Sequence, residues 1–396
     1  MSAAAASAPL ERLRSKALIA GVAGLACSGL GYAFDPERFF QSYLLAFLFW
    51  ISLSLGSLSL LMLHHLGGGD WGLVIRRPLE AGAKTIPAML VLAVPVMLGL
   101  HELYVWTHAE VVAHDEILQG KAVYLNVGFF LARAAFYFVV WGVLGTLLVK
   151  FSAYQDSSAD QAVESKLQFV SGPGVALMAL TITFSAVDWA MSIDPHWFSS
   201  LFGFWFIASD LLATMAFSIL VLAALRKREP LAGFLQTSHF HDLGNLLMAF
   251  VMIWGYLSFS QYLIIWSANT QEEAPWYALR SGEGWISVTV FLWLFHFFIP
   301  FLILLTRKTK RNVQRLSIVA AGVLVMRFVD LYWIVMPSFA HGGEASAFHP
   351  HWLDLTTLVG VGGIWLWIFC TGLAASPLLP AKHPRLEEAL EGAGGH

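Results

Sequence analysis

Ten apolar stretches, each close to the length of a bilayer crossing, constrain this chain more than any other feature. Lipid offers no hydrogen-bond partner to a peptide group. A segment that crosses the hydrocarbon core must therefore satisfy its own backbone, and about 20 apolar residues of α-helix do so. The runs fall at roughly 17–34, 40–63, 85–104, 123–150, 173–192, 200–224, 243–267, 285–306, 315–337 and 352–373. Only 12% of the 396 residues are charged, while 58% are hydrophobic. A water-facing domain carries about twice that share of charge. The expected class is therefore all-α, a polytopic membrane protein. A net charge of −3 leaves no electrostatic footprint for nucleic acid as a partner, so lipids are the expected surroundings. The two cysteines, Cys27 and Cys370, lie in apolar runs near opposite ends and supply no metal-ligand or disulfide framework.

Basic residues set the expected orientation. With ten crossings, both termini and every second loop share one side. Of the 23 Lys and Arg, eighteen fall on that side and three (Arg38, Lys121 and Arg280) on the other, while Arg133 and Arg327 lie inside runs. The side rich in Lys and Arg is the cytoplasmic one, so both termini are expected there. The first run is long for a signal segment and no clean small-x-small site follows it, so it reads as a retained helix. Two basic-side stretches, 71–84 and 154–168, read as helices lying on the membrane surface. The tail over 374–396, rich in Pro, Ala, Gly and charge, reads as extended or disordered.

A short internal repeat divides the chain. Asp188 precedes Pro195 by seven residues at the end of the fifth run, and Asp330 precedes Pro337 by the same interval at the end of the ninth. Val127 and Arg133 in the fourth run match Val290 and His296 in the eighth. The expected architecture is two parallel four-helix bundles, 40–192 and 200–337, flanked by a helix at 17–34 and another at 352–373.

Charges near the bilayer centre cost about 2.5–3.5 kcal/mol on insertion scales, so each is a candidate functional residue. Asp210 lies in the middle of the sixth run without a basic residue one turn away, and needs either a partner on another helix or a proton. Arg327 and Asp330 share a helix face and pair locally without further function. Arg133 reads as a partner for Asp188 or Asp330. Asp188 reads either as a proton-exchanging acid near the outer face or as a packing contact. His296 is the only histidine deep in a run, and a b-type haem would require a second at matching depth. It reads as a core histidine or a relay member. Tyr256 and Ser260 share a face of the seventh helix and suit a water chain or a helix–helix contact. His241 and Asp242 stand at the inner mouth, and Asp354, with His349 and His351, stands at an outer one. This distribution is what two half-channels meeting at Asp210 and His296 require.

Longer strings carry a family likeness. Asp188-Trp-Ala-Met-Ser-Ile-Asp-Pro-His-Trp-Phe-Ser-Ser-Leu-Phe-Gly203 resembles a stretch of the second of the two NrfD-like membrane proteins in bacterial alternative complex III, often called quinone-binding. So do Asp242-Leu-Gly-Asn-Leu-Leu-Met-Ala-Phe250, Phe259-Ser-Gln-Tyr-Leu-Ile-Ile-Trp266 and Glu272-Glu-Ala-Pro-Trp-Tyr277. The resemblance implies a component of a quinol:cytochrome c (or other acceptor) oxidoreductase in the bacterial inner membrane. It implies other membrane and periplasmic proteins of the complex as partners, above all the homologous first NrfD-like protein. Iron–sulfur clusters and c-type haems are implied in those partners and none in this chain. The quinol site of such a complex is better attributed to that first NrfD-like protein. A proton path through Asp188, Asp210, His241, Asp242, His296, Arg327 and Asp330 is the implied role here. The competing reading from the residues alone is a free-standing secondary transporter built from parallel repeats.

Overall fold

The computed structural model describes residues 3–158, 162–282, 284–339 and 348–380. No strand occurs among them, and ten helices are long and apolar enough to cross a membrane. They are span 1 (Leu10–Phe34), span 2 (Pro36–Gly67), span 3 (Asp70–Leu98), span 4 (Val127–Ser157) and span 5 (Ala162–Ile193). Span 6 (Phe202–Leu225), span 7 (Thr237–Ala268), span 8 (Trp285–Leu305), span 9 (Val313–Phe339) and span 10 (Trp352–Ala374) follow. The face carrying Arg76, Arg77, Arg226 and Arg307 is called here the basic face, and the other the opposite face.

Span 2 is the centre of the molecule. It is apolar around its whole circumference, as a helix with no lipid-facing side must be, and it packs on spans 5, 6, 9 and 10. Its small residues allow backbones to approach closely. A Cβ added at Gly56 would fall on Thr214 and on the backbone carbonyl of Asp210, so glycine there sets the spacing between spans 2 and 6. Spans 4 and 5 pack on each other, span 6 packs on 7 and 9, and span 8 lies against 9. Contacts between spans 2–5 and spans 6–9 run through spans 2, 3 and 5 on one side and spans 6, 7 and 9 on the other. Spans 1 and 10 form the tightest helix pair, with Gly21 and Gly24 laid against Gly363 and Gly360.

Two expectations change. The stretch at 71–84 does not lie on the membrane surface. Asp70–Ala83 is a helix with Gly72 through Ala83 all buried, packed against spans 2, 6 and 10. Arg76 and Arg77 are balanced by Glu80 and by Asp156 of span 4, which removes the reason for them to seek water. Likewise, the described part of 154–168 continues spans 4 and 5 as extensions of those helices. Span 3 is broken at Lys84–Thr85, Ala93 and Gly99, around Pro87 and Pro95. Proline withholds an N–H, so carbonyls near it need other donors. Tyr43 supplies one, its hydroxyl donating to the Leu92 carbonyl at 2.9 Å. Lys84 reaches the end of span 10, donating to the Gly372 carbonyl at 3.3 Å, where a cation also suits the helix dipole. The tail beyond residue 380 lies outside the described residues, and Leu379 just before it is buried against the core.

Candidate functional site

Three ionisable side chains from two helices meet in the interior. Asp210 comes from the middle of span 6, and Arg327 and Asp330 from one face of span 9. Arg327 Nη1 donates to Asp330 Oδ2 at 2.7 Å, and Nη2 donates to Asp210 Oδ1 at 3.0 Å. None of the three is more than 3% exposed. A guanidinium matches carboxylate geometry and holds its charge when buried, so it is the side chain suited to bridge two acids. Two carboxylates around one guanidinium leave one negative charge uncompensated if both are ionised. An uncompensated charge in this setting is costly.

Two further features adjoin the triad. Asp210 lines a small cavity with Ser52, Ser185, Trp189 and Phe206, of about 20 Å³. One water requires roughly 10–15 Å³ and polar partners, so the cavity has room for one beside the Asp210 carboxyl. His296 on span 8 is fully buried, and neither ring nitrogen has a hydrogen-bond partner. The Trp254 ring meets it edge-to-face at 4.4 Å. The segment that carries His296 packs against span 9, the helix of Arg327 and Asp330. His296 lies within a π-helical segment, Trp293–Phe298, directly before the helix that begins at Ile299 and Pro300. Such a segment carries an extra residue per turn and re-aims the side chains on it.

The matching position in the first set of helices is built differently. Arg133 grips Asp188 with two parallel bonds, Nε to Oδ2 at 2.9 Å and Nη2 to Oδ1 at 2.8 Å. The Tyr137 hydroxyl donates a third at 2.7 Å. Arg133 also donates to the Tyr124 carbonyl and stacks on the Tyr124 and Phe129 rings. One cation faces one anion, and both carboxylate oxygens are taken. Asp188 is therefore held in a closed pair.

The remaining candidates stand apart. Asp354 accepts from Arg38 at 2.7 Å and from Ser42 at 2.6 Å near the opposite face, and also caps span 10 through the His351 N–H. The Tyr332 hydroxyl, two residues beyond Asp330, accepts from the same Arg38 and donates to the His349 carbonyl. At the basic face, His241 lies 3.5 Å from Asp242 and 3.4 Å from Asn245, which accepts from Lys310. Burial pushes the Lys310 ammonium below its usual range, and Arg307 adds to the shift. Neither end joins the triad through a direct side-chain hydrogen bond among the described residues. Tyr256 is 70% exposed and shares its outward face with the half-buried Ser260, so this pair does not line the interior. On span 7 the buried hydrogen-bonding side chains are instead His239, Trp254, Ser258 and Gln261.

Two buried groupings were not expected from the sequence. Near the basic face, Glu80 accepts from Arg76 at 2.9 Å and from Arg77 at 2.7 Å, and Ser152 and Asp156 complete the cluster. The spacing Arg76-Arg77-Pro-Leu-Glu80 is its only sequence signal, since it places both arginines one turn from the acid. Near the opposite face, Arg280 stacks on Trp276 at 3.3 Å. It donates to the Trp333 carbonyl at 3.0 Å, to that of Ile334, and to the Ser338 hydroxyl at 2.8 Å. It caps the end of span 9, and burial pushes its pKa down. Beside it lies a cavity of about 140 Å³ lined by Tyr262, Trp293, Trp333 and the half-buried Tyr277, whose buried hydroxyl has no hydrogen-bond partner.

Among the described residues no three His, Cys, Asp or Glu side chains converge as a metal site. A scan against protein-family models gives no match, and a search of curated proteins gives none either.

Proposed function

We propose that this chain is a metal-free membrane component of a quinol:electron-acceptor oxidoreductase of the alternative complex III type, and that it carries part of a transmembrane proton path. The Asp210–Arg327–Asp330 triad is the observation that carries the proton reading. A scaffold needs only balanced contacts, and Arg133 with Asp188 shows that this fold builds them. The triad has one acid too many, a cavity with room for water at that acid, and an unpartnered imidazole close by. A group that exchanges one proton between Asp210, Asp330 and water suits such a site. His296 is the neighbouring group able to take or give that proton. His241 with Asp242 at the basic face, and Asp354 with Arg38 at the opposite one, are the expected ends of the route. Transient waters would have to bridge the intervals. The excess of Lys and Arg on one side supports cytoplasmic termini in a bacterial inner membrane.

The complex-level assignment rests on the long strings at 188–203, 242–250, 259–266 and 272–277. In the cavity beside Arg280, Trp293 and Trp333 offer flat walls and Tyr277 a free donor. These residues would hold a quinol ring if this chain takes one, and a bound quinol would supply two electrons and two protons. A second reading, a free-standing transporter, draws on the buried charges at the junction of the two helix sets.

Purification from the native membrane separates the two. A component of the complex brings multihaem and iron–sulfur partners with it, whereas a transporter comes alone and moves a solute in liposomes. In the reconstituted complex, Asp210→Asn should leave quinol oxidation intact and lower the protons taken up per electron. Unchanged stoichiometry would remove the proton role while leaving the assignment to the complex standing.

A further inference from the structure

At the basic face, where span 6 ends and spans 7 and 9 begin, lies an open cavity of about 470 Å³. Arg226, Lys227 and Thr237 contribute its polar wall, and Leu235, Phe240 and Val313 its apolar one. The two cations make no ion pair among the described residues. That is unlike the arginines at 76, 77, 133 and 327, each of which is matched by a carboxylate. The wall also includes Gln236 and the start of a 32-residue helix, Thr237–Ala268; the Gln236 side chain already accepts from the His239 N–H, which leaves the N–H groups of Thr237 and Ser238 without an acceptor within the helix. Positive charge, helix N–H groups and the positive end of the helix dipole thus converge at the level where span 6 leaves the bilayer.

We infer that this cavity binds the phosphate of an anionic phospholipid, with Arg226 and Lys227 on the headgroup and Leu235, Phe240 and Val313 against the first part of an acyl chain. The inference is independent of the proton reading and needs only that the chain sits in a bilayer. Basic pockets between membrane helices on the Lys/Arg-rich side are where such headgroups collect. The apolar wall distinguishes a lipid from a free anion. Inorganic phosphate would use Arg226, Lys227 and the helix terminus, but would leave the partly exposed Leu235 and Val313 facing water.

The test uses the full chain, with its partners if they co-purify, in mild detergent. Thermal stability and native mass spectrometry are followed while cardiolipin, phosphatidylcholine or inorganic phosphate is added. Cardiolipin should stabilise and remain bound, phosphatidylcholine should not, and phosphate should have little effect. Arg226→Gln with Lys227→Gln should weaken cardiolipin binding roughly tenfold or more. Arg226→Lys with Lys227→Arg should retain it. Arg307→Gln with Lys308→Gln, which removes the same charge from an exposed site, should change it little. Equal losses in the two glutamine variants would reduce the effect to general surface charge and overturn the site. Stabilisation by phosphate equal to that by cardiolipin would overturn the lipid assignment. A photoactivatable anionic lipid on the unmodified protein gives a readout that no folding defect can obscure. It should label the segment 226–240, and labelling spread evenly over the basic face would contradict the inference.

Discussion

The closed pair at Arg133–Asp188 and the open triad at Asp210–Arg327–Asp330 are two solutions to the same problem, a carboxylate inside a bilayer. In the first, every strong acceptor is occupied and the charges cancel, so protonating Asp188 would break contacts without relieving repulsion. In the second, one guanidinium serves two acids, and a proton on either completes the charge balance. The structural difference is small. By sequence spacing, span 8 carries His296 where span 4 carries Arg133, and the cation beside the acids lies on span 9 as Arg327. Under the proposed function, moving one arginine by a helix turns a fixed contact into a site that gains and loses a proton.

Five substitutions break or sharpen that contrast. The largest loss is expected for Arg327→Leu, which strands two buried acids. Breaking a buried pair costs about 3–5 kcal/mol, so little folded protein should survive detergent extraction. Arg133→Leu should be milder, because Asp188 keeps the Tyr137 hydroxyl. Equal thermal destabilisation by the two would erase the distinction. Next comes Asp188→Asn, which weakens charge-assisted hydrogen bonds worth about 1.5–3 kcal/mol. It should lower the unfolding temperature and leave proton stoichiometry untouched. Asp210→Asn should behave in the reverse way. An amide oxygen still accepts from Arg327 and the triad becomes neutral, so the stability change should stay below about 1 kcal/mol while proton uptake falls. Last comes His296→Phe, whose stability effect should be comparably small. Neither imidazole nitrogen donates or accepts, and a ring of similar volume should cost less than about 1.5 kcal/mol. Any slowing of proton transfer in that variant then reports on relay rather than on packing.

The ten crossings were legible because a bilayer imposes one length and one composition on every span. The last seven runs match the observed helices closely in their apolar parts. Boundaries failed where charge cancels in the interior. Arg76, Arg77 and Glu80 looked like a water-facing stretch because sequence shows three charges and not their mutual contacts. The local pair Arg327–Asp330 was readable from a spacing of three. Its bond to Asp210 was not, because 117 residues separate the partners and only tertiary packing joins spans 6 and 9. Tyr256 and Ser260 show the same limit in reverse. Their spacing places them on one face, but nothing local says which face looks outward. The π-helical turn around His296 likewise has no signature in Trp293-Leu-Phe-His-Phe-Phe298.

The most direct measurement is the carboxyl region of the infrared spectrum of the purified protein, recorded against proton exchange with deuterium and compared across variants. A proton held by the triad requires a protonated-carboxyl band that shifts in heavy water, is lost in Asp210→Asn or Asp330→Asn, and persists in Asp188→Asn. No such band, or one that disappears only with Asp188, would mean that the triad is a fixed contact like the pair it was set against.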